Sequence, residues 1–256
     1  MTRTVLVTGA GRGVGRACAI RFAQEGARVA CAARSQKEIE AVAAECMKAG
    51  ATDARAFVMD VTSYSSISSA LTQIRKAYTS IDVLCHSAGG AKTAPFGGTD
   101  EQLWNEMIAL NLTSAYLVGR AVLGDMLQKR KGRMIFIGST ASRSGYRYCA
   151  AYTASKHGLL GMVRSLALEV AAAGVTANVV APGYIRVSAT EQAAKQVASR
   201  VGKTPEQVLA VYRAASPQGR MFEPDEVAAL VQFVASDSAS GINGQCLLLD
   251  GGAVVA

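Results

Sequence analysis

The run CAAYTASKHGLLGMVRSLALEV places a phenol, Tyr152, and an ammonium, Lys156, four residues apart at the head of an apolar helix. Residues i and i+4 share a helix face, so the two polar ends converge while Ala151, Ala154 and Leu159 pack elsewhere. A cation beside a phenol favours phenolate and lowers its pKa from about 10, making Tyr152 a proton donor and acceptor near neutral pH. Taken alone, the Y-x-x-x-K spacing is common on ordinary helices. Ser139, thirteen residues earlier at the end of a strand-like run, adds a hydroxyl that could face the same point. Asn111, in EMIALNLTSAY, is an amide on an otherwise apolar helical stretch. These four side chains could move a proton to or from a substrate oxygen and steady the charge on it.

A second cluster is suited to binding. TGAGRGVG (8–15) follows a short strand-like run and opens a helix, the context in which a glycine turn holds a pyrophosphate. Gly9 permits the turn, Gly13 and Gly15 flank Val14 and let backbone and helix approach, and the first helical N–H groups face the phosphates. An NAD site normally adds an acidic residue about twenty residues on, for the ribose hydroxyls. Here that stretch reads CAARSQKE, with Ala33 and Arg34 at the position, and Arg12 stands before Gly13. Two cations and no carboxylate predict a 2′-phosphate, hence NADP(H). The alternative is that Arg34 merely opens an exposed loop.

Both clusters need a scaffold, and the chain supplies a regular one. Strand-like runs at 4–9, 27–33, 54–61, 81–89, 132–139, 175–183 and 246–252 alternate with helical-period segments. Ser35 and Glu38 form a capping-box pattern for a helix ended by Gly50, and Ile67, Ala70, Leu71, Ile74 and Tyr78 mark the next helix. This rhythm predicts one α/β domain over 1–256, a doubly wound Rossmann-type parallel sheet of about seven strands covered on both faces. Residues 186–220 are long and polar enough to be an insertion beyond the carboxyl ends of the strands, a candidate lid.

With 256 residues and 50% hydrophobic content the chain can bury a sizeable core. The net charge of +8 is not gathered into a tail, and QKRKGR (128–133) is its densest cluster. The six cysteines form no C-x-x-C pair and no ligand-like group with His86 or His157, so they read as buried thiols in a reducing cytoplasm, with no metal expected. The absence of an unbroken apolar run of about eighteen residues, and an N-terminus that runs straight into the glycine turn, predict a cytoplasmic protein without a membrane partner.

TGAGRGVG, Asp60-Val61, Asn111, Ser139, YTASK, NVVAPG and the closing LLLDGG together resemble the short-chain dehydrogenase/reductase family, in order and spacing, over essentially the whole chain. The resemblance implies that Tyr152 exchanges a proton with the carbonyl or alcohol oxygen while hydride moves to or from the nicotinamide. It further implies that Ser139 binds that oxygen, that Lys156 binds the nicotinamide ribose and lowers the tyrosine pKa, and that Asn111 places a water in the proton path. Asp60 and Val61 would contact the adenine. The turn ending in Ala88 and Gly89, and Pro182, Gly183 and Ile185, would line the cofactor.

Three positions depart from the family pattern. His86 and Ser87 replace two asparagines, Val187 replaces the threonine of P-G-x-x-x-T, and Val14 replaces isoleucine. The 3-oxoacyl-thioester reductase branch is the nearest in pattern, which implies a ketone or acyl-thioester substrate carried on acyl carrier protein or coenzyme A, and a homotetramer. QKRKGR matches that branch's carrier-docking patch, whereas its second basic site is here Ala173. Tyr184, Lys195, Arg200, Lys203 and Arg213 are candidate substrate walls or an exposed rim, and Gly158 and Gly161 would admit another helix. A 3-hydroxyacid or secondary-alcohol dehydrogenase would share every catalytic residue. A nucleotide-sensing or nucleic-acid-binding protein would use the positive charge but need not retain all four catalytic side chains, so no nucleic acid is expected.

Overall fold

The computed structural model describes residues 2–255. Seven parallel strands form one sheet in the order β3-β2-β1-β4-β5-β6-β7. They are β1 (Thr4–Thr8), β2 (Arg28–Ala33), β3 (Asp53–Val58), β4 (Val83–His86), β5 (Gly132–Ile137), β6 (Val175–Pro182) and β7 (Cys246–Leu249). Every residue of β1 and β6 is buried, as strands covered on both faces must be, which explains their largely apolar character.

Nine α-helices are described: α1 (Gly13–Gln24), α2 (Gln36–Ala49), α3 (Tyr64–Tyr78), α4 (Glu101–Ile108), α5 (Ser114–Lys129), α6 (Ala150–Val170), α7 (Ser188–Val201), α8 (Pro205–Ala214) and α9 (Pro224–Val234). One sheet face is covered by α3, α5 and α6, whose Ile67, Leu71, Val118, Val122 and Val163 share a core with Leu6, Leu84 and Phe136. The other is covered by α1, α2 and α9, where Phe22, Ile39 and Val231 meet Val5, Val7 and Val29. Local signals place these helices as expected. Gly50 closes α2 in a left-handed conformation, and Ser35 caps its start by accepting from the Glu38 N–H, although Glu38 does not complete the capping box.

The helical unit 101–129 differs from its expected form. It is interrupted at Ala109–Thr113 by a π-helical turn that carries Asn111. Its length and hydropathy meet those of a bilayer span, which a search for unbroken apolar runs passes over. In the fold its Met107, Ala115, Val118, Val122 and Met126 are buried within the domain.

The strand order reverses direction between β1 and β4, and there the two following loops touch. Gly9 has a φ of +65°, and a Cβ on it would stand 2.9 Å from the Ala88 nitrogen. A Cβ on Gly15 would stand 2.2 Å from the Gly9 carbonyl oxygen, so the turn and the first helix interlock backbone to backbone. Gly15→Ala is therefore expected to cost about 3 kcal/mol of stability and to abolish nucleotide binding. Urea unfolding checks this, and a loss below about 1 kcal/mol would contradict the contact.

Candidate active site

The groups singled out in the sequence gather at the carboxyl ends of β1 to β6. Tyr152 sits in the first turn of α6, half-buried, and Lys156 follows one turn later with 4% exposure. The Lys156 Nζ donates to the Ile137 carbonyl at 2.9 Å and lies 5.8 Å from the centroid of the Tyr152 ring. Ser139 follows β5 and caps the short helical turn Thr140–Ser142, accepting from the Ala141 N–H at 3.1 Å. Its backbone N–H is held in return by Ser142 Oγ at 3.3 Å, so the hydroxyl is fixed by its own turn.

The electrostatics depart from the simple expectation. Burial holds the Tyr152 phenol above its ordinary value, with Ser139 pulling the other way. Burial also draws Lys156 down to about 8. The expected lowering of the phenol by the ammonium is thus not seen in the protein alone. The ammonium lies beside the ring and bonds a backbone carbonyl, and desolvation opposes charge on both groups.

Asn111 reaches the site through the π-helical turn. Its Nδ2 donates to the Gly90 carbonyl at 2.9 Å and to that of Met107 at 3.0 Å, and its Oδ1 accepts from the Gly90 N–H at 3.1 Å. A Cβ on Gly89 would meet both Asn111 Oδ1 at 3.0 Å and Lys156 Nζ at 3.6 Å. Asn111 therefore fixes the loop after β4 directly against the lysine.

On the other half of the sheet, Arg12 precedes α1 in extended backbone with its side chain exposed, and Arg34 is exposed just beyond β2. Asp60 accepts from both the N–H and the hydroxyl of Thr62. These bonds, then nearby Arg34, hold its carboxyl below the usual range. Val61 is buried beside them. The sequence reading missed Glu38, whose Oε2 would lie 2.7 Å from a Cβ on Gly11. It stands in the first turn of α2, and its spacing in the sequence carried no signal that the glycine turn would lie beside it. Pro182 ends β6, and Gly183 donates to the Leu249 carbonyl at 3.0 Å. Ile185 bridges to Phe222.

A glycine cradle at the crossover of a parallel sheet, facing a serine, a tyrosine and a lysine across one cleft, matches one family of proteins. The model of that family, short chain dehydrogenase, matches residues 3–198. The chain belongs to the short-chain dehydrogenase family. It is 37% identical to the 3-oxoacyl-(acyl-carrier-protein) reductase FabG of Escherichia coli K12, over 98% of this chain and 96% of that one. Among solved structures, actinorhodin polyketide ketoreductase with NADPH superposes with a TM-score of 0.94 at 31% identity, covering 98% and 97% of the two chains. Levodione reductase gives 0.92 at 30% identity, covering 98% and 96%.

This short-chain dehydrogenase carries its departures with visible compensation. His86 is fully enclosed, with Nδ1 3.0 Å from Thr8 Oγ1 and Nε2 3.2 Å from Ser114 Oγ. The imidazole thereby ties β1, β4 and α5 together where the family pattern has asparagines. Burial, then the Lys156 charge, lowers its pKa to about 3. The ring stays neutral in the fold but protonates in the unfolded chain below about pH 6.5, so the unfolded state binds more protons there and stability falls as pH drops from 6.5 toward 3. His86→Asn is expected to remove roughly 3 kcal/mol of the stability difference between pH 7 and pH 4. Urea titrations at both values check this, and an unchanged difference would exclude His86 as the source. Val187 leaves α7 without a side-chain cap, and its Cγ1 faces Gly13. No structural account emerges for Val14, which is half-buried at the start of α1.

The other candidate residues lie mostly at the surface. The QKRKGR cations are held within the molecule: Lys129 pairs with Asp82, Lys131 with Asp237, Arg130 bonds the Ala172 carbonyl, and Arg133 is buried against Gly132, Gly174 and Asp237. Lys129, Arg130 and Lys131 stay exposed while making these contacts, and Arg133 is buried. Lys195, Arg200 and Lys203 are exposed and Arg213 pairs with Glu206, as an exposed rim would have them, while Tyr184 is half-buried and stacked on Tyr212. Gly158 faces inward, since a Cβ there would strike Leu112 at 2.8 Å, whereas Gly161 is open. Four cysteines are buried, while Cys149 and Cys246 are partly exposed.

Proposed function

We propose that this enzyme is an NADPH-dependent carbonyl reductase that converts a 3-oxoacyl thioester or related ketone to the hydroxy product. The observation that carries the reading is the placement of Ser139, Tyr152 and Lys156 across the crossover cleft from Gly9, with Arg12 and Arg34 exposed at its far end. The cleft suits a dinucleotide, because the Gly9, Ala88 and Gly15 backbones leave open the space that side chains would fill. NADP(H), when bound there, supplies or accepts the hydride. The FabG and ketoreductase relatives support the substrate class and the phosphate-bearing cofactor.

The chain's own residues then do the following. Arg12 and Arg34 would hold the 2′-phosphate, and Asp60 and Val61 would hold the adenine. Ala88, Gly89, Pro182, Gly183 and Ile185 border the nicotinamide half. Ser139 donates to the substrate oxygen, and Tyr152 gives that oxygen its proton. Lys156 holds the ribose, while Asn111 keeps the β4 loop in place and supports a water on the proton path. Desolvation keeps the Tyr152 phenol protonated at neutral pH, so it has a proton to give the substrate oxygen in reduction.

The helices α7 and α8 form a lid with its own small core of Ala194, Ala198 and Val208. Exposed Trp104, Tyr116, Leu127 and Leu168 on α4, α5 and α6 support a homotetramer, and free thiols support a reducing cytoplasm. The test is loss of NADPH absorbance on adding acetoacetyl thioesters of coenzyme A and of acyl carrier protein. Turnover of neither thioester and of no ketone, in protein that binds NADPH, would overturn the reading.

A further inference from the structure

Near Tyr152, an aromatic pair joins the carboxyl end of β6 to α8. Tyr184, just after the β6 turn, and Tyr212, near the end of α8, stack with centroids 4.2 Å apart and planes 8° from parallel. Tyr184 is pinned from below: the Phe222 N–H donates to its carbonyl at 2.9 Å, and Arg186 returns a bond to the Phe222 carbonyl at 2.8 Å. Tyr212 belongs instead to the lid, packed against the Ala194, Ala198 and Val208 cluster. The stack is thus where the lid meets the fixed wall.

The same pair faces the reacting end of the site. Burial and the neighbouring Tyr212, Tyr146, Cys149 and Tyr152 push the Tyr184 phenol up, and Cys149 acts likewise on Tyr212 and Tyr152. Tyr146 is itself steadied by a 2.7 Å bond from its hydroxyl to Thr140 Oγ1. Four phenols and one thiol therefore lie close enough to act on one another's charge. The lid cations are engaged elsewhere, Arg200 with the Thr93 carbonyl and Arg213 with Glu206.

We propose that the Tyr184–Tyr212 stack is a specificity wall that selects neutral ketones whose carbonyl belongs to, or is attached to, a flat ring system, over linear aliphatic 3-oxoacyl chains. This rests on the carbonyl-reductase reading and names the substrate class for that site. A planar ring gains offset or edge contacts with the pair and has few rotors to freeze. A flexible chain gains less and loses more freedom on ordering.

The test compares NADPH-dependent reduction of 2-tetralone with that of the N-acetylcysteamine thioester of acetoacetate, in wild type, Tyr212→Leu and Tyr212→Phe. The wild type is expected to favour 2-tetralone in kcat/KM by about tenfold. Tyr212→Leu is expected to raise KM for 2-tetralone about fivefold with kcat retained, to leave the thioester within about twofold, and Tyr212→Phe to restore the preference. A wild type that favours the thioester, or equal losses on both substrates in Tyr212→Leu, overturns the proposal while leaving the reductase reading intact. Reduction of neither substrate by NADPH-bound wild type overturns both. Because the wild-type preference and the isosteric Tyr212→Phe decide the matter together, a poorly folded leucine variant does not shield it.

Discussion

Tyr152→Phe is expected to lower kcat by about a thousandfold while leaving the NADPH dissociation constant within about twofold. The substitution deletes one hydroxyl and keeps the ring that lies 5.8 Å from Lys156 Nζ, so packing at the head of α6 is unchanged. What disappears is the only transferable proton that the proposed chemistry places on the substrate oxygen. Stopped-flow turnover and a fluorescence titration with NADPH separate the two effects, and near-full activity would sink the mechanism. The pH dependence gives a second check. Because burial keeps the phenol protonated beyond its ordinary range, reduction is expected to hold steady through neutral pH and decline only in alkali. Oxidation of the corresponding alcohol, which needs the phenolate, is expected to rise with pH. The opposite pair of profiles would point to a different proton donor.

Arg34→Asp is expected to weaken NADPH binding by roughly 10- to 100-fold and to leave NADH unchanged or modestly tighter. The side chain is exposed beyond β2, next to the Asp60 turn, and the substitution exchanges a cation for an anion where the 2′-phosphate would lie. The exposed setting means that the effect should shrink as salt rises, since screening acts within about 10 Å at 0.1 M. Glu38, close against Gly11, already places a carboxylate near the turn, so removing the Arg34 cation leaves the phosphate facing negative charge. Comparable NADPH affinity in wild type and variant would show that neither Arg34 nor its neighbourhood reads the phosphate, and would bring the alcohol-oxidising reading forward.

Much of the scaffold was legible in the residues. Largely apolar strands alternating with helical segments can be buried on both faces only in a parallel sheet with helices above and below. The glycines of TGAGRGVG, placed where strand turns into helix, signal a phosphate-binding turn more strongly than a glycine pattern alone would. The i and i+4 spacing placed Tyr152 and Lys156 on one face because a continuous helix fixes that geometry locally. Such signals are short-range, and the chain carries them without help from its tertiary contacts.

What the tertiary structure alone decided depends on contacts between distant segments. The π-helical turn that aims Asn111 at Gly90 leaves no mark in composition. Sequence spacing predicted a lowered Tyr152 pKa, but burial reverses the sign because both charged forms lose water and the ammonium bonds the Ile137 carbonyl. His86 looked like a lost turn contact until Thr8 and Ser114, from two other elements, closed around its ring. The basic run 128–133 gave no hint that Asp82, Asp237 and the Ala172 carbonyl would be its neighbours in the fold. Periodicity records which face of an element is buried, and it carries no information about which partner a polar group finds across the fold.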